Sequence, residues 1–181
     1  MNKFNNLLIT ATMLGAATLA HAQVNYPVRA VRVIVPSAPG GGTDISARII
    51  APQLTAFLGQ QVIVENRAGA GTMIGGEAVA RAVPDGYTLL MGVSTLAINP
   101  AMYKKVPYDA LKDFAPISQA VSLSNVLTVH PSLPVRDVPQ LLAWLRDKRG
   151  EATFATTGIG AASHLAGELL KKLAGVDFTI V

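Results

Sequence analysis

The sequence predicts an α/β fold with a largely parallel sheet. Segments rich in β-branched residues alternate along the chain with segments of helical apolar spacing. Glycine-rich turns repeatedly stand where a strand gives way to a helix. The run from Tyr87 to Met91 shows no polar alternation beyond Thr88, the pattern of a strand covered on both faces. In sheets of this kind, ligands bind outside the carboxyl ends of the strands, close to helix N-termini.

The chain opens on Lys3, an uncharged apolar stretch from Leu7 to Leu19, and Ala20-His21-Ala22, which offers small residues for cleavage before Gln23. This layout predicts a secretory signal peptide over 1–22 and an exported mature protein. A buried core helix would not explain the Lys start and the Ala-x-Ala end together. Val31–Val35 is β-branched and reads as a strand. Pro36 to Gly42 breaks it. Residues 43–58 then carry Ile45, Ile49, Leu54, Phe57 and Leu58 on a helical face, with Gly59 as the stop. Pro52 lies inside this helix and predicts a kink by removing one donor.

Val62–Glu65 is the next strand, 72–81 is helix-like, and Tyr87–Met91 and Asn125–Val129 are two further strands. Asp137 can cap a helix from Val138 to about Lys148, with Gln140 at the capping-box position and Gly150 as the stop. Leu141, Leu142 and Leu145 form its inner face, with Trp144 beside them. Thr153–Thr156 reads as a strand and His164–Leu173 as a helix with Leu165, Leu169, Leu170 and Leu173, closed by Gly175. A last strand begins at Phe178.

Composition narrows the function. The chain has 181 residues and no cysteine, which excludes disulfides, thiolate metal sites and thiol nucleophiles. Half of it is apolar, enough for a real core. The formal charge is +4, and the lysines and arginines are scattered. No basic stripe suggests nucleic acid. Beyond the N-terminal stretch, no run approaches the ~18 apolar residues of a membrane helix.

Three loops can carry function. The first is Pro39-Gly40-Gly41-Gly42-Thr43-Asp44, between a strand and a helix. Its glycines let the backbone approach a ligand, and free N–H groups at the helix start favour an anion. Thr43 or Asp44 can cap the helix. The alternative on composition alone is a tight strand-to-helix turn with a capped helix and no ligand. The second is Asn66–Gly71, where Arg67 either pairs with a carboxylate or solvates the rim. The third runs from Thr156 through Thr157, Gly158, Ile159, Gly160, Ala161, Ala162 and Ser163 to His164. Two such loops can clamp the two ends of one small anion. Ser94-Thr95 and Ser124-Asn125, near strand ends, can add further donors.

Enzyme readings find little support. His130 and His164 are the histidines beyond the signal segment. No Gly-x-Ser-x-Gly elbow occurs, since Leu96 follows Ser94-Thr95 where a glycine should stand. No paired histidines or carboxylate cluster suggests a metal. The first loop lacks the Gly-Lys-Ser/Thr of a nucleotide-binding loop. A hydrolase is therefore the weakest of three readings. The others are a solute receptor for transport and a periplasmic sensor that hands its bound state to a signalling partner.

Several segments together resemble the Bug family, the extracytoplasmic solute receptors of tripartite tricarboxylate transporters. They are Tyr26-Pro27, Val33–Pro36 with Pro39–Asp44, Val64–Gly71, Ala82–Leu90, Asn99-Pro100, Tyr108-Asp109 with Phe114–Ile117, and Gly158–Leu165. Their order agrees over essentially the whole mature chain. The resemblance implies a type II periplasmic-binding-protein fold, with two α/β lobes closing by a hinge on a small carboxylate. It implies a first lobe over 23–122 and the first part of a second, incomplete lobe over 123–181. It places ligand contacts at Pro39, Gly41, Thr43 and Asp44, and across the cleft at Thr157, Gly158, Ala162, Ser163 and His164; the loop reading adds Gly40 and Ser94 to the expected site. It implies no cofactor and no chemistry on the ligand. The expected protein is a periplasmic monomer, with a two-subunit membrane permease as its partner.

Overall fold

The computed structural model describes residues 25–181; the expected signal peptide lies outside them. Three parallel strands form the first sheet: β1 (Val31–Val35), β2 (Val62–Asn66) and β3 (Thr88–Leu90), in the order β2-β1-β3. Val33 stands opposite Val64 on one side and Leu89 on the other. β1 is central, which is why its β-branched side chains are almost entirely buried. The parallel, helix-connected sheet is the α/β architecture that the strand–helix alternation predicts.

Helix α1 (Gly42–Leu58) packs on this sheet through Ala47 and Ala51, with Leu54 and Leu58 beside them. The structure corrects the face read from the sequence. Ile45, Ile49 and Phe57 are exposed, at 51%, 66% and 86%. Small alanines let the helix lie close to the strands, and the large apolar residues stand on the other side. The helix runs through Pro52 and closes at Gly59, a left-handed residue whose N–H donates to the Thr55 carbonyl. A short 3₁₀ turn (Ala70–Thr72) leads into α2 (Met73–Ala80). β3 is two residues shorter than read and half-buried, although Tyr87, Leu89 and Met91 all pack on the core. α3 (Thr95–Met102) follows it, a helix that the sequence reading does not contain.

The strand expected at Asn125–Val129 is absent. Residues 115–130 form no ladder, and Val126, Leu127 and Val129 are exposed. A β-branched run becomes a strand only where a neighbouring strand takes its hydrogen bonds, and none does so here among the described residues.

The last part of the chain builds a second sheet. α4 (Val138–Lys148) has the predicted cap: Asp137 Oδ1 accepts the Gln140 N–H at 2.8 Å. Gln140 Oε1 in turn accepts the Arg136 N–H at 3.0 Å. The stop begins one residue early, at Arg149, which takes the left-handed conformation before Gly150 does. β4 (Thr153–Phe154) pairs in parallel with β5 (Thr179–Ile180), both shorter than expected. Between them, α5 runs over Ala162–Ala174, two residues longer than read at its start and one at its end. Leu141, Leu145, Val176 and Phe178 form the core here, with Leu170 against them, while Leu165, Leu169 and Leu173 are exposed. Among the described residues, no helix is long and apolar enough to cross a membrane.

Candidate functional site: glycine loops at the strand ends

Because β1, β2 and β3 run parallel, the loops that follow them leave one edge of the sheet. The first glycine loop follows β1, the second follows β2, and Ser94 lies just beyond β3. The third glycine loop follows β4 and enters α5. Each stands where an open parallel sheet presents ligand sites.

The first loop is held by Asp44, which is 3% exposed. The helix starts at Gly42 with Gly41 as its N-cap, so neither Thr43 nor Asp44 caps it. Asp44 instead turns its carboxylate back into the loop. Oδ2 accepts the Gly40 N–H at 2.9 Å. Oδ1 accepts Arg48 Nε at 3.0 Å and Asn66 Nδ2 at 2.9 Å. Asn66 closes the network: its Nδ2 also donates to the Ser37 carbonyl at 3.1 Å, and its Oδ1 accepts Arg48 Nη2 at 2.9 Å. The Arg48 guanidinium, with the Gly40 and Asn66 donors, lowers the Asp44 pKa to about 2. Asp44 therefore fixes the loop, and its oxygens are already occupied. Pro39, Gly40 and Gly41 are exposed, and no side chain caps α1, so the N–H groups of its first turn stay open to an anion.

Arg67, in the second loop, donates from Nε to Glu65 Oε1 at 2.7 Å. Glu65 also pairs with Arg32, and together the two arginines lower its pKa, Arg67 most. Arg67 is exposed, and the carboxylate it pairs with is that of Glu65. Asn66 and Arg48 are site residues that sequence reasoning missed. The signal was Asn66 itself, an amide at the end of a strand whose loop neighbours carry orphan backbone groups.

The third loop is organised by hydroxyls. Ser163 Oγ accepts the Thr157 N–H at 3.2 Å and lies 3.0 Å from Thr157 Oγ1. Thr156 Oγ1 accepts the Gly158 N–H at 3.2 Å. His164 is half-buried in the first turn of α5, its Nδ1 accepting the Gly160 N–H at 3.5 Å. Ala161 is the N-cap, and no side chain caps this helix either. Thr157, Gly158 and Ala162 are exposed beside that open terminus. Gly160 is buried against α3, close to Ile98, Asn99 and Met102. Ser94 is exposed at the N-cap of α3, while Thr95 is buried and shares a 2.6 Å hydrogen bond with Thr72. Among the described residues, no hydrogen bond joins the first loop to the third. No group of three metal-ligating side chains occurs among them.

The profile of the tripartite tricarboxylate transporter family receptor matches residues 46–181. The chain belongs to this family. The likeness to the Bug proteins read from its motifs is borne out by the relatives that the chain matches. BugT of Bordetella pertussis is 37% identical over 186 residues, covering all of this chain and 57% of that protein. An R. palustris protein solved with adipate is 35% identical, with a TM-score of 0.80, over 86% of this chain and 52% of its own. MatC from Rhodopseudomonas palustris, solved with bound malate, is 32% identical, with a TM-score of 0.69, over 86% and 53%. This receptor-family chain spans about half the length of the curated relatives it matches.

Proposed function

We propose that this chain forms the carboxylate-binding cleft, or the greater part of it, of a periplasmic solute-binding protein that delivers its ligand to a two-subunit membrane permease. It performs no chemistry on the ligand and works as a monomer. Residues 23–122 make one lobe, and 123–181 begin the other. The observation that carries this reading is that the first and third glycine loops each lead into a helix N-terminus with no side-chain cap, at Gly41 and Ala161. α2, behind the second glycine loop, and α3 also lack a side-chain cap, while α4 has its terminus satisfied by Asp137. An uncapped first turn offers several N–H donors and the positive end of a helix to one carboxylate. Pro39, Gly40, Gly41 and Thr43 form the seat on one side, with Asp44 holding it in shape. Thr157, Gly158, Ala162, Ser163 and His164 form the seat on the other, and Ser94 borders the first. The adipate and malate of the two solved relatives support a small carboxylate as ligand.

Thermal unfolding of the full chain with malate, adipate and citrate tests this. A ligand at a hundred times its dissociation constant adds about 2.7 kcal/mol, which raises the midpoint by roughly 5–10 °C for a chain of this size. A cooperative melt that none of the three acids shifts would overturn the reading.

A further inference from the structure

Asn99 is the most deeply buried polar residue among those described, at 0% exposure. It sits on α3, the helix between the second and third glycine loops. Its Nδ2 donates to the Gly71 carbonyl at 2.9 Å and to the Tyr108 hydroxyl at 3.1 Å. Turning the amide over would set Oδ1 against the Gly71 carbonyl, acceptor against acceptor, so these partners fix its orientation. No donor reaches Oδ1. Buried acceptors in folded proteins are paired with few exceptions.

Two glycines border Oδ1: a Cβ on Gly71 would lie 3.8 Å from it, and Gly160 stands at the same range. A Cβ placed on Gly160 would lie 3.9 Å from Asn99 Oδ1 and 3.9 Å from Met102. Gly160 is buried, with φ at +79°. Its N–H reaches His164 Nδ1 at 3.5 Å, the outer limit of a hydrogen bond. The residue with this poorly used donor thus borders an unused acceptor.

We propose that Asn99 is a positioning residue for the third glycine loop. Its Oδ1 takes the Gly160 N–H, and this bond sets where the loop and the N-terminus of α5 stand relative to the second glycine loop. The Gly160 peptide has two acceptors, and turning it from His164 to Asn99 uses the backbone freedom of glycine. The same carboxamide then ties Gly71, Tyr108 and Gly160 together.

Amide hydrogen exchange of the unliganded full chain tests this, and does so whether or not a carboxylate binds. In Asn99→Leu, the Gly160 amide should exchange at least about tenfold faster, while the Ile34 and Val35 amides in β1 stay within about twofold of the parent. In His164→Ala, which removes the competing acceptor from a half-buried site, the Gly160 amide should stay within about threefold of the parent. Should Asn99→Leu fail to fold, the histidine variant decides alone. A Gly160 amide that becomes labile in His164→Ala, or is unmoved in Asn99→Leu, would overturn the inference.

Discussion

A single carboxylate does most to shape the first loop. Asp44 reads from the sequence as a helix cap, because Thr and Asp beside glycines at a helix start are the usual capping residues. The helix begins at Gly42, however, and Asp44 takes its third position with its oxygens spent on Gly40, Arg48 and Asn66. Local sequence cannot give this, because Asn66 arrives from another strand. A pH dependence follows. The carboxyl stands at about 2 in the folded chain against an ordinary 3.8, so the charged form is favoured by folding. The stabilisation is complete above 3.8, shrinks as pH falls between 3.8 and about 2, and is gone below that. Asp44→Asn sets an amide N–H₂ against donors, so it should lower the denaturation midpoint at pH 7. The difference from the parent should close as pH falls toward 2. Urea titrations of both proteins from pH 7 to 2 check this, and a pH-independent gap would deny Asp44 its charged role.

Elements were legible where their signals are local. The Asp137 cap and the Leu141–Leu145 face lie within one short window, and α4 forms with the bounds its sequence predicts. Asp137→Ala should cost about 1 kcal/mol by removing that cap, read as a lower urea midpoint with an unchanged slope. The strand expected at Asn125–Val129 failed because pairing is not local: β-propensity names a segment without naming its neighbour. Helix α3 was unread because Gly92, Ser94 and Pro100 look like loop residues. Pro100 is nevertheless tolerated as the sixth residue of an eight-residue helix. α2 supplies a test of packing between element and loop. A Cβ on Gly75 would lie 2.7 Å from Pro36 Cβ, 2.8 Å from its Cα and 3.0 Å from the Arg67 carbonyl oxygen, and two of these three atoms are backbone. Gly75→Ala should therefore destabilise by about 1–3 kcal/mol and move the first and second loops together. Chemical-shift changes confined to α2 would speak against that coupling.

At the scale of the whole molecule, the parallel α/β architecture was legible from alternation alone, but the division of its core was not. Most buried apolar residues fall into two clusters with no member in common, with Ile34 and Tyr108 in neither. Val31, Val33, Val35, Ala47, Ala51 and Val62 surround the first sheet, and Leu141, Leu145, Val176 and Phe178 surround the second. Between them runs the exposed, unladdered stretch 115–130. Cooperative unfolding needs contacts that cross between units, and a chain with separate cores opens in separate steps. Leu145 tests this directly, since it is 6% exposed and belongs wholly to the second cluster. Leu145→Ala should cost about 2–5 kcal/mol locally. If the clusters are energetically separate, amide exchange should accelerate in α4, α5 and β5 while β1 keeps its protection. Equal acceleration in β1 would mean that the two units fold as one. The contact of Gly160 with α3 would then carry far more of the stability than its size suggests.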